Sequence, residues 1–285
     1  MTRLISKLAA LGCGLVLATG CAPERPDAEP SPEGAQRLAV LSSGTGGGSE
    51  IVILNATSGR EIDRIATDLG SWTTGLARHP DGFFLVGQNS TIFAVEENGD
   101  RWVFNDEMWG GIHGISITND DEITVGNAED GVTKIDEEGE IIMHLSMGGT
   151  CFMDSAGEAS IDIYGPRIAI ADSESGSLET IATDLGYNTG HLAVDGGGRY
   201  YAGSYYDGDE IYVVKDGVSE HVGSLTEMGI DGANYILAMT GASQNSAYVL
   251  YDGMNGSGIA EVTSNGRGSD VVLADGEVWS DLVVY

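Results

Sequence analysis

The chain has 285 residues, with 13 basic and 44 acidic side chains and a formal charge of −31 at pH 7. Such a charge excludes nucleic acid and anionic lipid as partners, because both repel an acidic surface. The length fits either one large all-β domain or two ordinary ones, so internal repetition has to decide the organisation.

In chain order, the first element is an export signal over residues 1–20. Arg3 and Lys7 precede an apolar run from Leu8 to Ala18, which falls well short of the ~20 residues that cross a bilayer as a helix. "LATGC", Leu17 to Cys21, resembles the bacterial lipobox. The resemblance implies that Cys21 is lipidated and begins the mature chain, anchored to a membrane without spanning it. Cys13 also follows a glycine but sits inside the apolar run, so Cys21 is the better site. Residues 21–36 include "APERPDAEPSPEGAQ", with four of the six prolines and little that could enter a core, and are expected to form an extended tether.

By resemblance to the enterobacterial sorting rule, Ala22 in place of aspartate favours the outer membrane where the source has one. The expected address is therefore the bacterial cell envelope. Loss of the signal removes Arg3 and Lys7, leaving 11 basic residues and a formal charge of −33. Cys151 is then the remaining thiol, which rules out an intramolecular disulfide.

From Arg37 onward the sequence repeats. "GLARHPDG" at Gly75, "GISITNDD" at Gly114, "CFMDSAGE" at Cys151, "HLAVDGGG" at His191, "ILAMTGAS" at Ile236 and "DLVVY" at Asp281 recur at spacings of 39, 37, 40, 45 and 45 residues. Such spacings belong to propeller blades. Behind each start comes a second run ("FFLVGQ", "EITVGN", "YYAGSY"), a third ("TIFAVEENG", "GVTKIDEEG", "EIYVVKDG") and a fourth ("DRWVF", "EIIMHL"). Four short β-rich runs with Asn-Gly and Asp-Gly between them describe a four-stranded meander, here named A to D from the start of each unit. Helix is a poor competitor, since 43 glycines interrupt any 3.6-residue period.

The ends complete the pattern. "RLAVLSSG", "EIVILNATSG" and "REIDRIAT" match strands B, C and D with no A before Arg37, and "EVWSDLVVY" matches an A and stops. Joined, they make residues 37–285 an all-β, six-bladed β-propeller, closed by three N-terminal strands plus one C-terminal strand.

The blade "GLARHPDGFFLVGQNSTIFAVEENGDRWVF" resembles the NHL repeat, and "HLAVDGGGRYYAGSYYDGDEIYVVKDG" resembles it more closely. The resemblance implies the fold, and it is shared with gluconolactonase and regucalcin-like hydrolases and with lyases of the virginiamycin and peptide-amidating types. The hydrolases would need a glutamate, asparagines and an aspartate holding a metal on the axis, and that set has no matching positions here. The lyases would need histidines converging on the axis.

His113 and His191 open A strands two blades apart, but their one-residue offset is expected to turn them to opposite faces of their strands. His79, His144 and His221 fall in turns or outer strands and are expected to face solvent. There is no Gly-x-Ser-x-Gly elbow, Cys-x-x-Cys pair, phosphate loop or full calcium loop, so no catalytic residue and no metal ligand is assigned.

An up-and-down meander sorts its loops onto two faces. A–B and C–D turns ("HPDG", "ENGD", "TNDD", "EEGE", "DGGG", "KDG") are tight and acidic, as hairpin folding requires. The opposite face receives the B–C and D–A connections, carrying Trp72, Trp109, His113, Tyr187, Asn188, His191, Tyr205, Tyr206, Asp231, Asn234 and Trp279. Aromatics can wedge between blades, or they can bind, and rings beside amides and carboxylates suit protein and sugar ligands. The expectation is a lipid-anchored envelope lipoprotein whose propeller is a binding scaffold for an envelope protein or for a small-molecule or glycan ligand, without a cofactor. The alternative is a propeller enzyme, a metal-dependent lactonase or hydrolase or a lyase, with a divalent metal on the propeller axis.

Overall fold

The structure, a computed structural model, describes residues 36–285 apart from 44–47, 71–72, 109, 119–120, 128–130, 147–152, 158, 163–166, 173–175, 187–188, 206–207, 255 and 274–277. The signal, Cys21, the tether and Cys151 lie outside the described residues.

Twenty-four strands form six four-stranded antiparallel sheets, and no helix is found among the described residues. The chain enters through β1 (Arg37–Ser43), β2 (Gly48–Asn55) and β3 (Glu61–Gly70) of blade 1. Blade 2 is β4 (Thr73–Arg78), β5 (Phe84–Gln88), β6 (Thr91–Val95) and β7 (Arg101–Asn105). Blade 3 is β8 (Ile112–Ile117), β9 (Ile123–Asn127), β10 (Gly131–Ile135) and β11 (Ile141–Ser146). Blade 4 is β12 (Met153–Ala156), β13 (Ala159–Asp162), β14 (Arg167–Asp172) and β15 (Ser177–Ala182). Blade 5 is β16 (Thr189–Val194), β17 (Tyr200–Ser204), β18 (Glu210–Lys215) and β19 (Val218–Ser224). Blade 6 is β20 (Ala233–Gly241), β21 (Ser246–Gly253), β22 (Gly256–Thr263) and β23 (Gly268–Leu273), and β24 (Val278–Val284) returns to blade 1.

The order β24-β1-β2-β3 is the expected closure: β24 pairs antiparallel with β1, Leu38 opposite Val284 and Leu41 opposite Asp281. β24, β4, β8, β12, β16 and β20 each lie against the next, so the six A strands ring a central channel.

Cores form between blades because each sheet buries both faces against its neighbours. Leu38, Val40, Leu250, Ile259 and Trp279 fill the gap between blades 6 and 1. Leu41, Ile51, Leu76, Phe84 and Val86 fill the next. Each such side chain contributes roughly 1.5–3 kcal/mol by leaving water.

The short turns share one closure. The A–B turns bond His79 N–H to Phe83 O, Thr118 N–H to Glu122 O and Asp195 N–H to Arg199 O. C–D turns repeat it from Glu96 to Asp100, Asp136 to Glu140 and Thr263 to Arg267. Gly139, one of the left-handed turn residues with φ 90°, shows why glycine is required: a Cβ there would stand 2.6 Å from Phe104 O of the neighbouring blade.

Adjacent A strands are stitched by hydroxyls. Thr74 Oγ1 donates to Ile112 O, Ser116 Oγ to Gly157 O at 2.9 Å, and Ser280 Oγ to Thr73 O at 3.3 Å. Blade-to-blade spacing is therefore fixed by hydrogen bonds as well as by packing.

Candidate functional site

Every A strand begins at the B–C and D–A face and ends at the turn face, so the channel has two dissimilar mouths. At the first mouth, the register of the inner strands is interrupted. β8 pairs Ile112 with Asn127 and then Gly114 with Gly126, leaving His113 as a bulge residue. β16 pairs Thr189 with Ser204 and then His191 with Gly203, leaving Gly190 bulged.

Those interruptions overturn the expected opposition of the two histidines. A one-residue offset reverses side-chain facing only along an unbroken ladder, and a bulge re-aims the chain. His113 and His191 both reach Tyr205, which follows β17: the ring centroids are 6.2 Å and 5.2 Å apart, at interplanar angles of 61° and 38°. His191 is buried, while His113 and Tyr205 are partly exposed. Two imidazoles and a phenol, from blades 3 and 5, thus share one place at the mouth. Their ring nitrogens and hydroxyl supply hydrogen-bond donors and acceptors.

The other expected residues scatter. Asp231 and Asn234 are exposed at the entry to β20, Asn234 on a bulge between Ala233 and Tyr235. Trp279 is only 4% exposed and packs between blades 6 and 1, the wedge role rather than a surface one. Trp72, Trp109, Tyr187, Asn188 and Tyr206 lie outside the described residues.

Exposed apolar side chains that the sequence reading did not single out share this face. Tyr235, Met254 at 80% exposure and Val278 at 63% stand on blade 6 and the adjoining β24. The Tyr235 hydroxyl is held above its ordinary pKa, first by burial and then by the charge of Asp252 and a hydrogen bond to it. Among the described residues, no group of three His, Cys, Asp or Glu side chains converges as a metal site.

Two of the remaining histidines are not solvent-facing. His79 is 3% exposed, stacked on Phe83 at 4.2 Å, and its Nδ1 accepts the Asp81 N–H at 3.2 Å. His144 is partly buried, with Nδ1 2.9 Å from Thr133 Oγ1. Only His221 is exposed, where it pairs with Glu210.

The second mouth, on the turn face, opens into a cavity of about 480 Å³. The second halves of all six A strands contribute to it, among them Arg78, Thr240 and, midway along β24, Asp281. No motif announces it, because its lining is assembled from strand ends about 40 residues apart.

The fold and its closure define a six-bladed β-propeller scaffold. The chain matches no protein-family model and no curated protein sequence. Among solved structures, it is similar to a chain of a nidogen/laminin complex at TM-score 0.63 and 13% identity, over 87% of this chain and 97% of that one. TolB from Acinetobacter baumannii gives 0.62 at 12% identity, over 86% and 66%. A catalytically inactive virginiamycin B lyase from Staphylococcus aureus, solved with quinupristin, gives 0.54 at 11% identity, over 75% and 76%. At such identities the likeness is one of fold.

Proposed function

We propose that the propeller is a recognition module of the bacterial envelope, held to the membrane through a lipid on Cys21, and that it binds its partner at the B–C and D–A mouth. The observation that carries this reading is the convergence of His113, His191 and Tyr205 from two blades onto one place. Exposed Tyr235, Met254 and Val278, on blade 6 and β24, add apolar contact area to the same face. A protein partner is favoured over a glycan because these chains are aliphatic and thioether as well as aromatic. The nidogen/laminin neighbour comes from a protein–protein assembly and gives the same preference.

Capture of an envelope-extract partner by the immobilised propeller, compared with Tyr205→Ala and Met254→Ser variants, tests the surface. Loss of the same partner from both variants, with melting unchanged, supports it. Retention by both overturns it. Cys21→Ser tests the anchor separately and is expected to move the protein from the membrane to the soluble fraction.

The paired imidazoles also favour a second reading, a propeller lyase or metal-dependent hydrolase with the same mouth as its active site. One stoichiometric zinc or calcium ion in the purified protein, lost in His113→Ala and His191→Ala, would select it.

A further inference from the structure

We infer that Met254 is a redox switch on the recognition surface: oxidation of its thioether to the sulfoxide turns partner binding off, and reduction turns it back on. The inference rests on the reading of the loop mouth as that surface. The β21–β22 hairpin pairs down to Gly253 opposite Gly256, so Met254 stands at its tip. A tight hairpin turn asks for Asn, Asp or Gly and has no use for a thioether. Met254 serves the fold through its backbone, its N–H donating to Gly232 O at 3.1 Å, while its side chain is 80% exposed. The strands on either side bring two more exposed apolar side chains to this hairpin. Tyr235 pairs across β20 and β21 with Asp252, two residues before Met254. Val278 precedes Trp279, whose N–H donates to Ser257 Oγ of β22 at 3.4 Å. Of the three, the thioether is the most exposed.

Exposure selects the residue that reacts. Met108, Met228 and Met239 are at most 7% exposed and packed in inter-blade cores, and Met143 is partly buried. Among the described methionines, Met254 is therefore the one that an aqueous oxidant meets. A sulfur lone pair attacks one oxygen of hydrogen peroxide: the S–O bond forms as the O–O bond breaks, sulfur gives up two electrons, and the second oxygen leaves as water with both protons. The product presents a polar sulfoxide where the partner makes an apolar contact, and covering it without a hydrogen-bond donor is unfavourable. Because this side chain fills no core, the propeller tolerates the change and the effect falls on binding.

Treatment of the full chain with dilute hydrogen peroxide, followed by peptide mass mapping and by capture from envelope extract, tests the inference. Met254 is expected to become the sulfoxide well before Met108, Met228 and Met239, with the melt unchanged. Capture is expected to fall about tenfold, the factor that loss of one buried methionine contact gives. It should return when a methionine sulfoxide reductase, with a dithiol as electron donor, restores the thioether. Met254→Leu keeps an apolar side chain without sulfur, so whatever its starting level, its capture must be the same before and after peroxide. A peroxide-dependent loss in Met254→Leu, another methionine oxidised first, or undiminished capture by the chain carrying the Met254 sulfoxide would overturn the switch. Met254→Ser separates that failure from failure of the surface. Undiminished capture by the sulfoxide with loss in Met254→Ser sinks the switch and leaves the surface standing, whereas retention by both sinks the two together.

Discussion

The two mouths of one channel are built by opposite rules. At the turn mouth, short hairpins close on themselves and on the next blade. Asp195 accepts N–H bonds from Gly197 at 2.8 Å and Arg199 at 3.0 Å within its own turn, and from Asn245 of blade 6 at 2.9 Å. The Arg199 guanidinium bonds the Asn245 side chain as well. At the loop mouth, the inner ladders break at His113, Gly190 and Asn234, and side chains there meet across blades through ring contacts instead. Regular turns make a rigid end whose residues serve closure; bulges make an end whose side chains are re-aimed toward a partner. Substitutions at the first end are therefore expected to cost stability, and those at the second to cost binding.

The largest expected effect comes from the strand that closes the ring. β24 places Trp279 in the core between blades 6 and 1, and Tyr285, just beyond it, packs edge-on against Phe84 at 5.6 Å beneath Arg78. Deleting Val278–Tyr285 exposes the inner edge of β1 and both flanking cores. The expected outcome is aggregation or loss of a cooperative melt, measured by calorimetry. An unchanged melt would break the pairing of β24 with β1.

Gly241, at the turn end of β20, comes next. A Cβ there would lie 1.8 Å from Val194 O, a backbone atom of the adjacent inner strand that cannot step aside. Gly241→Ala is expected to cost about 3 kcal/mol or more in denaturant unfolding, by forcing blades 5 and 6 apart.

The Asp195 bridge sharpens the comparison through pH. Burial pushes its carboxyl up, but the N–H groups of Arg199, Gly197 and Asn245 and the Arg199 charge outweigh this and hold it below the ordinary 3.8. A depressed carboxylate contributes stability that is complete above its unfolded value and is lost as pH falls through the folded one. The contribution should thus be intact at pH 6, begin to fade near pH 4, where the unfolded carboxyl titrates, and be gone only below the lower folded value. Asp195→Asn is expected to be about 2 kcal/mol less stable than the native chain at neutral pH, with the gap closing in acid. A gap independent of pH would show that packing, not charge, ties blades 5 and 6.

Sequence carried the architecture further than the site, for a physical reason. Blade count, strand order and the 3+1 closure follow from period-two runs and turn glycines, which local backbone chemistry dictates. Side-chain facing at the loop mouth depends on bulges. Nothing in "GIHGIS" distinguishes His113 as the unpaired residue, because that choice is made by the register against β9. His79 illustrates the same limit at the turn mouth: a histidine beside Pro-Asp-Gly reads as exposed, yet it is covered by Phe83, whose own ring is braced edge-on by Trp102 at 5.2 Å. The cavity escaped notice because the turns around it look like folding devices and nothing more.

The smallest stability effect is expected at Tyr205, and it is the most discriminating. Its ring is partly exposed, follows the end of β17 and contacts two imidazoles. Truncation to alanine should therefore change the melt by less than about 1 kcal/mol, in the range of substitutions away from packed cores. If the loop mouth is the recognition surface, the same change should weaken partner capture by roughly 2 kcal/mol, the magnitude of an aromatic hot spot. The two ends of the channel then separate cleanly: Asp195→Asn loses stability and keeps capture, whereas Tyr205→Ala keeps stability and loses capture. A Tyr205→Ala protein that melts several kcal/mol earlier would instead make the His113–Tyr205–His191 contact a structural clamp between blades 3 and 5, and would move the search for the partner to the outer rims of the blades.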